Sequence, residues 1–323
     1  MTTRSIMSEI EAMSVLESFS SVALFGSKAR GDSDLFSDRD LLVISESAPC
    51  QKALNELHAQ GFSPAAYSWG TLNLLSIHGS LFLLHIKLES KILKDDGFRL
   101  AGFLSQYEPS KDYSGTFKQS IELASLTSGV PQNPGSTLWA VDVLAVALRN
   151  YLVALAAQNG LYIFAYKNLI DFAEFVFKLD SETKQALIRL RELKAVYRNK
   201  GAASMARYSS LDQLHLAQVA FSSISGANIV GGRRDSHEFA TALLNERRLK
   251  EPWYHSVRRY EGVYRAIGRE CFSPDEIDEI ERQIAAPSCY MHDGQQQWKA
   301  LRRIVINGYL KYLTRKGVRV RSA

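Results

Sequence analysis

Apolar and polar positions follow two different rhythms along this chain. Two short apolar runs, at residues 22–25 and 40–44, are too brief for helices and read as β-strands. Ahead of them, Ile6, Met7, Ile10, Met13 and Leu16 recur at helical spacing with Glu9, Glu11 and Glu17 opposite, which predicts an amphipathic helix over 5–19. Residues 51–60 predict a short helix closed by Gly61, and 65–69 a third short strand. Between 72 and 89 two patterns compete. Leu74, Ile77, Leu81, Leu84 and Leu88 fit a helix, with a short strand at 91–93 behind it. The strict alternation of 84–89 fits a strand that would place His85, Lys87 and Glu89 on one face. The helix is the favoured reading.

Farther on the helical period takes over. Trp139, Val143, Val146, Leu148, Tyr151 and Leu155 predict one long helix, capped by Ser136 or Thr137 and closed by Gly160. Residues 166–179, 181–199, 210–222 and 295–313 repeat the pattern, and Ser273-Pro274-Asp275-Glu276 opens a further helix. No period-two segment of any length follows residue 130. Turn-forming stretches at 108–114 and 130–135 punctuate the transition. The expected architecture is α+β: a small mixed-sheet core over 1–108, a linker over 109–135, and an all-helical domain over 136–323.

Composition narrows the setting. The 323 residues suffice for two domains, and no apolar run approaches the length of a membrane span. The N-terminus lacks a secretory apolar segment, and Cys50, Cys271 and Cys289 are too far apart for a disulfide framework or a metal motif. A cytoplasmic protein without membrane attachment is expected. The net charge of +5 is unevenly placed: residues 233–323 carry 18 Lys and Arg against 12 Asp and Glu. Arg247-Arg248-Lys250, Arg258-Arg259-Tyr260, Tyr264-Arg265, Arg302-Arg303 and the terminal Arg/Lys run interleave with Trp253, Tyr254, Tyr309 and Tyr312. That mixture suits phosphate contacts plus base stacking, or an ordinary helical face with core aromatics.

The chemistry concentrates in residues 22–44. The first apolar run ends in Gly26-Ser27, a polar loop carries Lys28 and Arg30, and the second run begins behind Asp38-x-Asp40. In an extended chain Asp38 and Asp40 share a face, and two carboxylates that close call for a cation between them. Oxygen-only ligands at a strand end suit Mg²⁺, completed by water and phosphate oxygens. Gly26 lets a phosphate approach the backbone, Ser27 offers a hydroxyl and an amide, and Lys28 and Arg30 add positive charge. The competing reading is a hairpin whose acids merely cap a strand.

The stretch Gly26-Ser27-x-x-Arg30-Gly31-x-x-x-x-x-Ser37-Asp38-x-Asp40-Leu41-Leu42-Val43 resembles the DNA polymerase β-like nucleotidyltransferase superfamily, in the form of its small bacterial members. The resemblance implies a nucleotidyltransferase core, with Asp38 and Asp40 as catalytic metal ligands. Gly26, Ser27, Lys28 and Arg30 would bind a nucleoside triphosphate. It implies transfer of a nucleoside monophosphate to an acceptor hydroxyl with release of pyrophosphate, and a setting in bacterial defence or toxin–antitoxin modules with a cognate protein partner. A nucleic acid or growing oligonucleotide is the expected acceptor; proteins and small molecules are the others. Members of the superfamily carry a third carboxylate on a later strand, and residues 66–69 contain none. Glu89 is a candidate for that role only if 84–89 is a strand. Without a third acid, the alternative is a nucleotide-binding antitoxin or regulatory subunit that does not turn over. The Arg-then-His spacing of the helical ribonucleases that pair with such cores is missing around Arg198 and Arg233.

Overall fold

Four apolar segments become the strands of one mixed sheet. Strand β1 (Ser21–Leu24) runs antiparallel to β2 (Asp40–Ser45), with Ser21 opposite Ile44 and Leu24 opposite Leu41. Strand β3 (Ser63–Ser68) lies parallel to β2, Asp40 opposite Ser63 and Ser45 opposite Ser68. Strand β4 (Lys91–Asp95) pairs antiparallel with β1 across an irregularity between Val22 and Ala23, giving the order β3-β2-β1-β4. Val22 to Leu24 and Leu41 to Ile44 are all fully buried, so the two central strands are covered on both faces. This is why they read as continuous apolar runs rather than alternating ones; each large side chain contributes about 1.5–3 kcal/mol through burial.

This computed structural model describes residues 13–33, 37–47, 49–198, 211–246, 251–285 and 295–317. The chain falls into two compact units, one of residues 1–113 with 153–169, the other of 114–152 with 170–323. The first unit holds the sheet. After β1 comes the one-turn helix α1 (Ser27–Arg30), and the parallel β2–β3 connection is made by α2 (Gln51–Ala59), which buries Ala53, Leu54 and Leu57. Of the helix expected over 5–19, residues 14–18 form a 3-10 turn, and its earlier part lies outside the described residues.

The stretch 69–89 is helical, as favoured, but it is two helices. α3 (Trp69–Ile77) and α4 (Leu81–Glu89) meet at 109°. The break is at Gly79, whose φ of +61° suits glycine, and whose would-be Cβ would overlap the Ser110 backbone nitrogen. Ser110 N donates to Gly79 O at 3.1 Å, and Ser80 then caps α4 by accepting from Phe82 N at 3.3 Å. Trp69 opens α3 instead of closing the third strand. Glu89 is therefore the last residue of a helix, and the strand reading that made it a third metal ligand does not hold. Beyond β4, Asp95 accepts from Leu100 N at 2.8 Å and Ala101 N at 2.9 Å, an anionic cap on α5 (Arg99–Gln106).

The second unit has no strand among its described residues. Its helices are α6 (Ser114–Ser125), α7 (Pro134–Gln158), α8 (Tyr166–Phe177), α9 (Ser181–Arg198), α10 (Leu211–Ser225), α11 (Ser236–Asn245), α12 (Trp253–Ile267), α13 (Pro274–Ala285) and α14 (Gln295–Arg315). The last residues of α7 and first of α8, 153–169, belong to the first unit. The stretch read as a linker contains α6, which buries Ser120, Leu123 and Ala124. Helix α7 carries Pro at its first position and is long and apolar enough to cross a membrane, which qualifies the expectation that no run reaches that length. Of its apolar window, however, 78% is buried in the fold, with Trp139, Val143, Leu144 and Leu148 fully enclosed. It is a core helix.

Helices α11 and α12 escaped the periodicity reading, α12 for a physical reason. In α12 the charged residues Arg258, Arg259 and Glu261 occupy buried positions, where an apolar count registers a polar face.

Candidate active site

The sheet brings the two halves of the Gly-Ser…Asp-x-Asp stretch together. Phe25 N donates to Asp40 O at 3.1 Å, so the end of β1 is tied to the start of β2. Gly26 follows with φ +72° and ψ −154°, and α1 begins at once with Ser27. A Cβ added to Gly26 would stand 2.9 Å from Asp40 Oδ2. The glycine thus serves conformation and clearance at the same time, leaving backbone-lined space against the carboxylate. Ser27 and Lys28 are half-buried, and Arg30 N closes the turn by donating to Gly26 O at 3.1 Å.

Asp40 is half-buried at the first position of β2, and Asp38 is exposed in the loop before it. Arg39 between them is committed elsewhere: its guanidinium lies 3.9 Å over the Phe62 ring and Nη1 donates to Gln60 O at 3.3 Å. Ser63 N donates to Arg39 O at 2.9 Å, extending the parallel pairing by one residue. Anchoring Arg39 on one side sends Asp38 and Asp40 to the other side of the extended chain.

The Asp40 carboxylate beside a clearance that a Cβ would fill, with a second acid two residues earlier in the chain, suits a hard cation such as Mg²⁺, which takes one or two carboxylates and completes its shell with water and phosphate oxygens. Among the described residues no group of three or more His, Cys, Asp or Glu side chains is gathered to hold a metal. The parallel neighbour β3 carries Ser63, Pro64, Ala65, Ala66, Tyr67 and Ser68, and no acid.

Glu89 has other partners. One carboxylate oxygen, Oε2, accepts from Arg30 Nη1 and stands 2.8 Å from His85 Nε2, one helical turn away. Arg30 Nε in turn donates to Asp32 Oδ2 at 3.1 Å. Burial works against the Glu89 charge, but the hydrogen bonds and charges of His85 and Arg30 outweigh it and hold the carboxyl below its usual range. His85 is buried between a stacked Phe164 ring at 4.6 Å and the edge-on Phe25 ring at 5.5 Å. The core-histidine role thus fits His85, whereas His78 is exposed. The His85–Glu89 pair was missed as a unit, although its i, i+4 spacing on a helix was readable.

In the helical unit, the basic and aromatic run on α12 turns inward. Arg258, Arg259, Tyr260 and Tyr264 are each at most 4% exposed. Arg258 reaches Asp142 on α7 and Glu261 at 2.6 Å, while Tyr197 bonds Glu261 and accepts from Arg265 Nε at 3.1 Å. Arg265 forms two parallel bonds to Glu281 at 2.7 and 3.1 Å, and Arg259 grips Glu251 and Leu243 O. These cations are spent inside the fold. Exposed basic residues remain on α14 at Lys299, Arg303, Lys311 and Arg315 and just after it at Lys316, with Lys311 paired to Glu276 at 3.0 Å and Arg315 donating to Glu270 O. Arg247, Arg248, Lys250, Cys289, His292 and the terminal Arg/Lys run lie outside the described residues.

No protein-family model matches the chain, and neither a curated protein nor a solved structure matches it.

Proposed function

We propose that this chain is a Mg²⁺-dependent nucleotidyltransferase working at the Gly26–Asp40 junction. The observation that carries the reading is the clearance between Gly26 and Asp40 Oδ2, a glycine turn lying against a strand-end carboxylate. Asp38 and Asp40 would hold the cation. A cation held there would supply neutralisation of the triphosphate charge and polarisation of the reacting phosphoryl group. Gly26 and Ser27 offer backbone amides and a hydroxyl to the β- and γ-phosphates, and Lys28 and Arg30 add charge and direction. An acceptor hydroxyl attacks the α-phosphorus in line and loses its proton to solvent; the bond from that phosphorus to the bridging oxygen breaks and pyrophosphate leaves with its electron pair. The acceptor in this reading is a nucleic acid or growing oligonucleotide, supported by the exposed cations of α14. A cytoplasmic role in bacterial defence, with a cognate protein partner, follows from the resemblance.

A second reading is favoured by the engagement of Glu89 with Arg30 and His85 and by the acid-free β3. The protein then binds nucleotide as a regulatory or antitoxin subunit and transfers nothing. Incubation with each labelled nucleoside triphosphate and Mg²⁺, with candidate acceptors resolved on a denaturing gel, separates the two. A labelled acceptor supports transfer; triphosphate binding without pyrophosphate release supports the second reading; neither binding nor release overturns both.

A further inference from the structure

The turn from Phe25 to Arg30 is held at both ends by one pair of side chains on α4. At its start, the Phe25 ring meets His85 edge-on at 5.5 Å; at its end, Arg30 Nη1 donates to Glu89 Oε2. His85 Nε2 lies 2.8 Å from Glu89 Oε2, so the imidazole and carboxylate pack as one piece. That piece is itself fixed. His85 is stacked on Phe164, and the Glu89 side chain is 16% exposed. Four residues of sequence separate the two clamped ends: Gly26, Ser27, Lys28 and Ala29.

An exposed Arg–carboxylate pair fixes little, because two long side chains in water gain little by meeting. This one differs in being mostly buried and shared with a histidine. The guanidinium is also oriented by a second carboxylate, Asp32, through Nε at 3.1 Å. Two of its nitrogens are thereby fixed, and the third, Nη2, makes no hydrogen bond among the described residues. Arg30 is a planar fork held by one edge with its remaining donors available to an oxyanion.

We propose that His85 and Glu89 are positioning residues for the polyphosphate of a nucleoside triphosphate: they hold the Phe25–Arg30 turn and orient Arg30 so that its remaining N–H groups receive a phosphate oxygen. Glu89 thus serves the site through Arg30 and not as a ligand of the metal. This assignment rests on the nucleotide reading of the same turn, and deepens it by naming what keeps its cation in place. Partners that orient a site's ligands in this way are commonly worth ten- to a hundredfold in affinity or activity.

The test uses full-length protein and measures affinity for a nucleoside triphosphate and the matching monophosphate, with melting temperature as the check on folding. Glu89→Gln keeps the shape and removes the charge; its triphosphate Kd is expected to rise about tenfold while the monophosphate Kd changes less than about twofold. Arg30→Ala is expected to weaken triphosphate binding at least as much. The double variant Arg30→Ala plus Glu89→Gln is then expected to bind no worse than Arg30→Ala alone, because Glu89 acts through Arg30. Glu89→Asp should recover part of the loss. A folded Glu89→Gln protein with unchanged triphosphate affinity, an equal loss for both nucleotides, or additive losses in the double variant would overturn the positioning role. Failure of the wild-type protein to bind any triphosphate would instead overturn the nucleotide reading on which it rests. Should Glu89→Gln fail to fold, the milder Glu89→Asp is measured in its place and must show the same selective loss, smaller in size.

Discussion

Gly26 and Asp40 are 14 positions apart in sequence, yet a methyl group on Gly26 would stand 2.9 Å from the Asp40 carboxylate oxygen. Gly26→Ala therefore meets two penalties, a backbone at φ +72° that disfavours a Cβ and a contact tighter than ordinary packing. The expected outcome is a loss of about 1–3 kcal/mol of stability in denaturant unfolding. Nucleotide affinity should fall by more than that loss explains, since the added methyl fills the clearance. A variant of normal stability and normal affinity would contradict the role given to this glycine.

Asp142 and Arg258 form an ion pair at the centre of the helical unit, each 1% exposed. Removing Asp142 leaves the buried Arg258 with Glu261, and removing Arg258 leaves Asp142 with the partly exposed Arg198. Asp142→Ala is expected to cost about 3–5 kcal/mol in chemical denaturation. Replacing Asp142 and Arg258 together with apolar residues of similar volume is expected to cost less than the single change. A single substitution costing under about 1 kcal/mol would show that water reaches the pair.

The same residue sets a pH dependence. Burial pushes the Asp142 carboxyl up, but the charges of Arg198 and Arg258 outweigh it and bring it from 3.8 down to about 2. A carboxyl depressed in the folded state stabilises above its unfolded value and loses that contribution as pH falls through the folded one. Asp142 should therefore contribute on the order of 2 kcal/mol above pH 4, falling away between about pH 4 and 2. Unfolding measured across that window should be less steep in pH for Asp142→Asn than for the wild type. Parallel curves would contradict the assignment.

Gly79→Ala tests the corner between α3 and α4. The added Cβ would collide with the Ser110 backbone, which has no flexible end to yield. A loss of about 2–4 kcal/mol is expected by thermal or denaturant unfolding, together with weakened nucleotide binding, because α4 carries His85 and Glu89. Stability within about 0.5 kcal/mol of wild type would mean that the corner rearranges freely.

What the sequence made legible was whatever followed a simple period or a turn rule. Strands β1 and β2 stood out because burial on both faces makes them apolar throughout, and the helix α13 because Ser273, Pro274 and Asp275 start it in the expected way. The break at Gly79 was not readable, since its cause is Ser110, 31 positions away. Helix α12 was misjudged for a related reason. Nothing local tells that Arg258 finds Asp142 and Glu261 inside the fold, and a charged residue with buried partners looks like a surface residue until the partners are known. In the candidate site, the juxtaposition of Gly26 and Asp40 was legible from spacing. The commitment of Glu89 to Arg30 was not, because it depends on where α4 ends relative to α1.

The most direct measurement is pyrophosphate release from nucleoside triphosphate with Mg²⁺, comparing wild type with Asp38→Ala plus Asp40→Ala. Because the two carboxylates are proposed to hold the cation on which transfer depends, release should require Mg²⁺, cease with chelator and return when Mg²⁺ is restored. It should fall at least a hundredfold, on the order of a lost catalytic group, in the double variant. Pyrophosphate release that persists unchanged in that variant would contradict the account.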